Sequence, residues 1–208
     1  MTKQEKIQIL RETIDVKSDI GLALNKIGVT TGIEIGVRRG GNSRQLILGN
    51  SLFSKGKFVA LDCWQEVSDE PTFNDKSYAT GELDNQYNMV VNMFSAYPFV
   101  EVVRDFSVEG SERFEDGYFD FVYLDAAHDY RNVSKDLQSW WPKLKSGGIL
   151  SGHDYFSDHR VWRGVPVGVY EAVADFCKEK GTEVHHSTNC ELEGGKGHCC
   201  PSFFIVKD

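Results

Sequence analysis

The chain has 208 residues, with 23 basic and 31 acidic side chains and a formal charge of −8. A hydrophobic fraction of 40%, with 13 Phe, 8 Tyr and 4 Trp, supplies enough core material to exclude disorder and the repetitive fibrous classes. A chain of this length folds as one larger domain without a disulfide or metal staple. The excess of carboxylates argues against nucleic acid as a partner, because the lysines and arginines form no basic stripe.

No apolar run approaches the roughly 20 residues of a membrane span, so no membrane partner is expected. The N-terminus, MTKQEKIQILRETIDV, is charged throughout and lacks the apolar stretch of a secretory signal. Five unevenly spaced cysteines fit a reduced, cytoplasmic setting.

Ile7, Leu10 and Ile14 recur at helical spacing, which predicts an amphipathic helix over residues 3–16. A second short helix is expected over Asp19–Lys26, capped by Ser18 or Asp19 and closed by Gly28. These form a helical extension, residues 1–28, ahead of the main domain, residues 29–208.

The pattern then changes. Gly32–Gly36 reads as a strand running into a loop with Gly36, Gly40 and Gly41, followed by a helix over Asn42–Leu48. Lys57–Leu61 is a buried-type strand ending at Asp62; Gln65–Glu82, without periodicity, reads as a long loop or lid. A helix over Asp84–Tyr97 and a strand over Val100–Val103 follow.

The alternation continues with a strand at Phe119–Leu124, a helix at Val133–Trp141 closed by Pro142, and a glycine turn at residues 144–148 into the strand Ile149–Ser151. A helix at Gly168–Lys180 and a strand at Phe203–Val206 complete the chain. Strands alternating with helices imply crossover units and an α/β, doubly wound, mostly parallel sheet with helices on both faces.

Ligands of such sheets bind beyond the carboxyl ends of the strands. The residues at those ends are Glu34 and Gly36, Asp62, Arg104 and Asp105, Asp125, then His153 and Asp154. Carboxylates crowded along one edge repel one another unless they hold a cation or accept hydrogen bonds from a ligand. Glu34, inside an otherwise apolar strand, suits a cationic ligand or structured polar contacts and not a pyrophosphate, and the glycine spacing differs from the dinucleotide fingerprint.

Asp62, 22 residues after Gly40, stands where an acid commonly accepts both hydroxyls of a ribose. Asp125 and Asp154 end neighbouring strands, and oxygen ligands converging from adjacent loops suit a hard cation such as Mg2+. His128 is placed to take a proton from a hydroxyl. Singly, Asp125 is better explained as a helix cap and His128 by a backbone bond; as a set, the residues point to a site.

Cys190, His198, Cys199 and Cys200, with His185 and His186 nearby, lack paired zinc spacing and are not read as a zinc site. Trp140 and Trp141, at a helix end, read as core.

The ensemble of G-I-E-I-G-V-x-x-G-x-S, the acid Asp62, D-F-V-Y-L-D-A-A-H-D-Y, D-L-x-x-W-W-P-K-L-K-x-G-G and G-H-D-Y resembles class I S-adenosylmethionine-dependent methyltransferases, in particular the methyltransferase 24 group. The likeness spans roughly residues 30–180. It implies a Rossmann-like sheet of seven strands with an antiparallel final pair. It places Glu34, Gly36, Gly40 and Ser43 at the methionine end of S-adenosylmethionine or its loop, and Asp62 with Cys63 at the ribose. Asp105, Phe106 and Ser107 fall at the adenine, and Asp125 beside the methyl-transfer centre.

By the same resemblance, Asp125 and Asp154, with His153, are candidate metal ligands, and His128 is a candidate base. The implied activity is O-methylation of a small-molecule hydroxyl, of sugar or natural-product type, with S-adenosylmethionine and metal assistance from Mg2+. The partners are the small-molecule acceptor and, at most, a second copy in a homodimer. Alternatives are a metal-dependent hydroxylase of the cephalosporin hydroxylase-like group, a nicotinamide-dependent oxidoreductase and a silent cofactor-binding module.

Overall fold

The computed structural model describes residues 1–65, 80–157, 161–162, 165–187 and 201–208. Its centre is a seven-stranded sheet built from β1 (Thr31–Ile35), β2 (Lys57–Asp62), β3 (Val100–Arg104), β4 (Phe119–Leu124), β5 (Leu144–Gly152), β8 (His185–His186) and β9 (Phe203–Val206), in the order β3-β2-β1-β4-β5-β9-β8. The first five pair in parallel, whereas β9 runs antiparallel to both β5 and β8. Two short strands, β6 (Val161–Trp162) and β7 (Val165–Pro166), pair separately. The expected doubly wound sheet is therefore present, with only β9 reversed.

Alternation along each strand divides the apolar side chains between two faces. Ile33, Val59, Leu61, Val122, Leu150 and Ile205 join a cluster with α6 (Tyr130–Trp140) and α7 (Val169–Lys180). Phe58, Ala60, Phe121, Tyr123 and Phe204 join another with α1 (Lys3–Thr13), α2 (Ile20–Ile27), α3 (Gly41–Gly49) and α4 (Thr80–Phe94). The N-terminal helices thus share the main core: Ile7, Leu10, Ile20 and Leu24 lie in the same cluster as Phe58 and Phe121.

The first helix is shorter than its periodicity predicts. Thr2 and Glu5 close a reciprocal capping box at its start, and Ile14 already has extended backbone. A 3-10 turn at Lys17–Asp19 then precedes α2. Asp19 does not cap α2; its Oδ2 accepts from the backbone N–H groups of Asp15 and Val16 at 3.2 and 3.1 Å, pinning the turn. Behind it, α2 and α3 cross closely at Gly21 and Gly49, where an added Cβ on Gly49 would lie 2.8 Å from the Gly21 Cα.

Three further boundaries differ from expectation. Helix α4 begins at Thr80, inside the segment read as a loop, whose residues 66–79 lie outside the described residues. Helix α6 begins at Tyr130 because Asp129 caps it, accepting from Asn132 N–H at 3.0 Å. Strand β5 starts at Leu144, before the glycines, and absorbs them with a register shift against β4 between Phe119 and Phe121.

Trp140 is fully buried and Trp141 packs edge-on against Phe176, so both are core. No helix among the described residues is long and apolar enough to cross a membrane.

Candidate active site

The chain reverses winding direction between β1 and β4, and the carboxyl ends of these neighbours form the crevice that ligands of wound sheets use. Four backbone hydrogen bonds knit the strand ends into one rim. Asp105 N–H donates to Asp62 at 3.0 Å, Gly36 N–H to Leu61 at 2.9 Å, Asp125 N–H to Ile35 at 2.8 Å and His153 N–H to Leu124 at 3.1 Å. Asp62, Gly36, Asp125 and His153 therefore stand side by side. Gly36 has φ +92°, and a Cβ there would lie 2.1 Å from the Asp125 carbonyl oxygen, so this crossing point admits only glycine.

Each carboxylate of the rim has its own answer to the expected repulsion. Glu34 is 1% exposed and accepts from Ser43 Oγ and, at 2.8 Å, from Asn42 Nδ2, both in the first turn of α3. Burial pushes its carboxyl up to about 7, more than the hydrogen bonds from Ser43 and Asn42 pull it down. Asn42 Oδ1 is buried and has no partner among the described residues, so an unsatisfied acceptor lies on the side chain that bonds Glu34. Gly40, with φ +77°, turns the chain into α3.

Asp62 accepts from the backbone N–H of Arg38 at 2.8 Å and of Trp64 at 3.0 Å, which ties the glycine-rich loop to the end of β2. Cys63 follows; burial and the Asp62 charge raise its thiol, which stays protonated at neutral pH. At the end of β3, Asp105 accepts from Phe106 N–H at 2.9 Å and pairs with Arg113 at 2.6 Å. Phe106 projects outward, 40% exposed. Ser107 starts α5 (Ser107–Ser111) and turns inward, where its Oγ accepts from Trp140 Nε1 at 3.0 Å and bonds Asp136.

Beyond β4 and β5, Asp125, His128 and Asp154 converge, each offering one ligand atom within 4.8 Å of the others. Asp154, held at φ +55°, binds His128 Nδ1 at 2.9 Å through one oxygen and His153 Nδ1 at 3.1 Å through the other. Although burial opposes it, this pair of imidazoles holds the Asp154 carboxyl well below the usual range. Burial likewise works against a charged His128, yet the Asp154 carboxylate outweighs it and raises the imidazole. His128, paired with Asp154, also lies near Asp125, whereas His153 pairs with Asp154 and is not among the three converging residues.

Asp125 caps no helix. Its Oδ2 accepts from Lys17 Nζ at 2.5 Å, a contact delivered by the N-terminal turn across 108 residues. The same ammonium stands 5.3 Å above the Tyr123 ring centroid.

The rim thus gathers the expected Glu34, Gly36, Asp62, Asp125, His128, His153 and Asp154. Sequence reasoning missed Lys17, which carries no local signal, and Asn42, whose position beside Ser43 at the loop's end was the available hint. Of the residues once weighed as zinc ligands, His185 bonds Arg11 and His186 bonds Ser187, while Cys190, His198, Cys199 and Cys200 lie outside the described residues.

Solved structures share this architecture. The chain is similar to an O-methyltransferase from Bacillus cereus in complex with S-adenosylhomocysteine, at 16% identity and TM-score 0.59, covering 99% of this chain and 90% of that one. It is similar to a putative caffeoyl-CoA O-methyltransferase from Staphylococcus aureus, at 15% identity and TM-score 0.62, covering 99% and 92%. A methyltransferase from Aquifex aeolicus matches over 100% of both chains at 16% identity and TM-score 0.58. At these identities the likeness establishes the fold.

No curated protein matches the chain. Residues 33–155, from β1 through the Asp125–Asp154 centre, match the family model Methyltransf_24, described as a methyltransferase domain. The chain belongs to that family and is a class I S-adenosylmethionine-dependent methyltransferase.

Proposed function

We propose that the enzyme methylates the oxygen of a small-molecule hydroxyl, with S-adenosylmethionine as donor and a divalent cation assisting at the Asp125–Asp154 centre. The observation that carries this reading is the convergence of Asp125, His128 and Asp154 at the switch point, next to the Gly36 crossing. Bound S-adenosylmethionine supplies a methyl already activated on a sulfonium, and a divalent cation supplies charge that acidifies a nearby hydroxyl.

The rim fits the donor. Glu34 and Asn42 Oδ1, which has no partner among the described residues, favour a cationic group that donates hydrogen bonds. Asp62 keeps a further lone pair on each oxygen for ribose hydroxyls, and exposed Phe106 offers a flat apolar face for a base. Gly40, Ser43, Cys63, Asp105 and Ser107 shape this half of the crevice. In the other half, Asp125 and Asp154 offer carboxylate oxygens that fit a hard divalent cation such as Mg2+ or Mn2+, and His128 beside them is left for the proton.

The protein's task in methyl transfer is alignment and proton removal. With Nδ1 engaged by Asp154, His128 has Nε2 left to accept the hydroxyl proton, and the adjacent carboxylate stabilises the imidazolium that results. The acceptor is of sugar or natural-product type. Release of S-adenosylhomocysteine, followed across a panel of polyols, phenols and amines with and without chelator, tests the reading: turnover confined to amines overturns it.

A further inference from the structure

Lys17 lies outside the matched family span and enters the centre from the N-terminal turn. We propose that Lys17 is a tethered cation that occupies the charge seat of the centre, and that a divalent cation taken by Asp125 and Asp154 must displace it. The inference rests on the divalent-cation reading above and adds how loading of that centre is controlled.

Every carboxylate of the cluster is already matched by a cationic or hydrogen-bonding partner. Asp154 has its two imidazoles, and Asp125 has Lys17. Among the described residues no other side chain forms an ion pair with Asp125. The ammonium is positioned rather than incidental: Asp19 pins the turn that carries it, and α2, which follows, is locked against α3 at Gly21 and Gly49. Below it the Tyr123 ring face adds a second attraction, and the Lys17 side chain is only 25% exposed.

A divalent ion coordinated by Asp125 draws on the charge that Lys17 now compensates, and places two positive centres within a few ångströms in a partly buried crevice. Both cannot keep their full attraction to one carboxylate. The four-carbon stem allows the ammonium to swing out while the turn stays in place. By linkage, the penalty that Lys17 imposes on the metal equals the one the metal imposes on Lys17 docking.

The test uses Mn2+ as the probe with the full chain. Calorimetric or spin-resonance titration should show Lys17→Met binding Mn2+ about tenfold more tightly than the wild type, because methionine keeps the packing and removes the charge, with Lys17→Arg close to wild type. In parallel, acetylation by an amine-reactive ester, read by peptide mass spectrometry, should find Lys17 protected without metal. Mn2+ should expose it to the level seen in metal-free Asp125→Asn.

Equal or weaker Mn2+ binding by Lys17→Met, or Lys17 labelling indifferent to Mn2+, overturns the inference and leaves the methyltransfer reading intact. Failure of both wild type and Lys17→Met to bind Mn2+ removes the divalent-cation reading, and the inference with it.

Discussion

Gly36→Ala places a methyl group 2.1 Å from the Asp125 carbonyl oxygen and 2.6 Å from the Ala126 nitrogen, at a residue whose φ is +92°. Three costs accumulate. Alanine in the left-handed region loses about 1–2 kcal/mol. Forcing β1 and the Asp125 segment apart by about 1 Å costs about 1–3 kcal/mol as overpacking. Weakening the 2.8 Å bond from Asp125 N–H to Ile35 adds about 1 kcal/mol.

The total is roughly 3–6 kcal/mol, which for a chain of this size lowers the melting temperature by roughly 10–20 °C. Two sister variants isolate the causes. Gly28→Ala shares the positive φ, +91°, but its Cβ meets nothing within 4 Å, so it should lose only about 1–2 kcal/mol. Gly41→Ala has open space and ordinary helical backbone, so it should be neutral or gain up to about 1 kcal/mol. Urea denaturation of the three variants gives the ranking directly. A Gly36→Ala loss no larger than that of Gly28→Ala would refute the close crossing of β1 and β4.

Four further outcomes follow from the same geometry. Glu34 has a folded pKa near 7 against 4.5 ordinarily, so the native state holds the extra proton between those values. Stability is therefore lost as pH rises from about 4.5 through 7, and Glu34→Gln should gain about 3 kcal/mol on the wild type between pH 4 and pH 8 in paired urea titrations. Asp62→Ala should weaken S-adenosylhomocysteine binding by roughly tenfold to a hundredfold in calorimetry, as expected for a lost charged acceptor. His128→Ala should cut the single-turnover transfer rate by about 10²–10⁴ while leaving S-adenosylhomocysteine affinity within about threefold, and Asp125→Asn should likewise lower turnover more than affinity. At the opposite end of the sheet, Asp120 Oδ2 accepts from the N–H and hydroxyl groups of Thr30 and Thr31, and Oδ1 binds Lys145 at 2.7 Å. Asp120→Ala should therefore cost about 2–4 kcal/mol in denaturation and leave transfer per folded molecule unchanged.

The strands of the wound sheet are legible because fully buried strands read as continuous apolar runs, as in residues 58–61, and because acids mark their ends. The site follows from those ends together with the rule for wound sheets. Other features have no local trace. Helix α5, with the sequence SVEGS, is too short for periodicity, and β8 is the pair His185–His186, set by pairing with β9 and by Arg11 of α1. Asp19 looks like a helix cap yet folds back on its own turn, where its carboxylate accepts from two preceding N–H groups. Lys17 is one of 23 basic residues until the fold carries it to Asp125. What tertiary approach alone decides, a one-dimensional pattern does not record.

The interleaving of the N-terminal helices with the sheet has a practical corollary for protein engineering. Excising residues 33–155 as a module would strip Ile7, Leu10, Ile20 and Leu24 from Phe58, Phe121 and Tyr123, leaving a broad greasy flank that invites aggregation. Chimeras that trade acceptor preference among relatives must therefore transplant the helical pair and its intervening turn as one cassette, since the seam that shields the sheet also delivers an ammonium to the reaction centre.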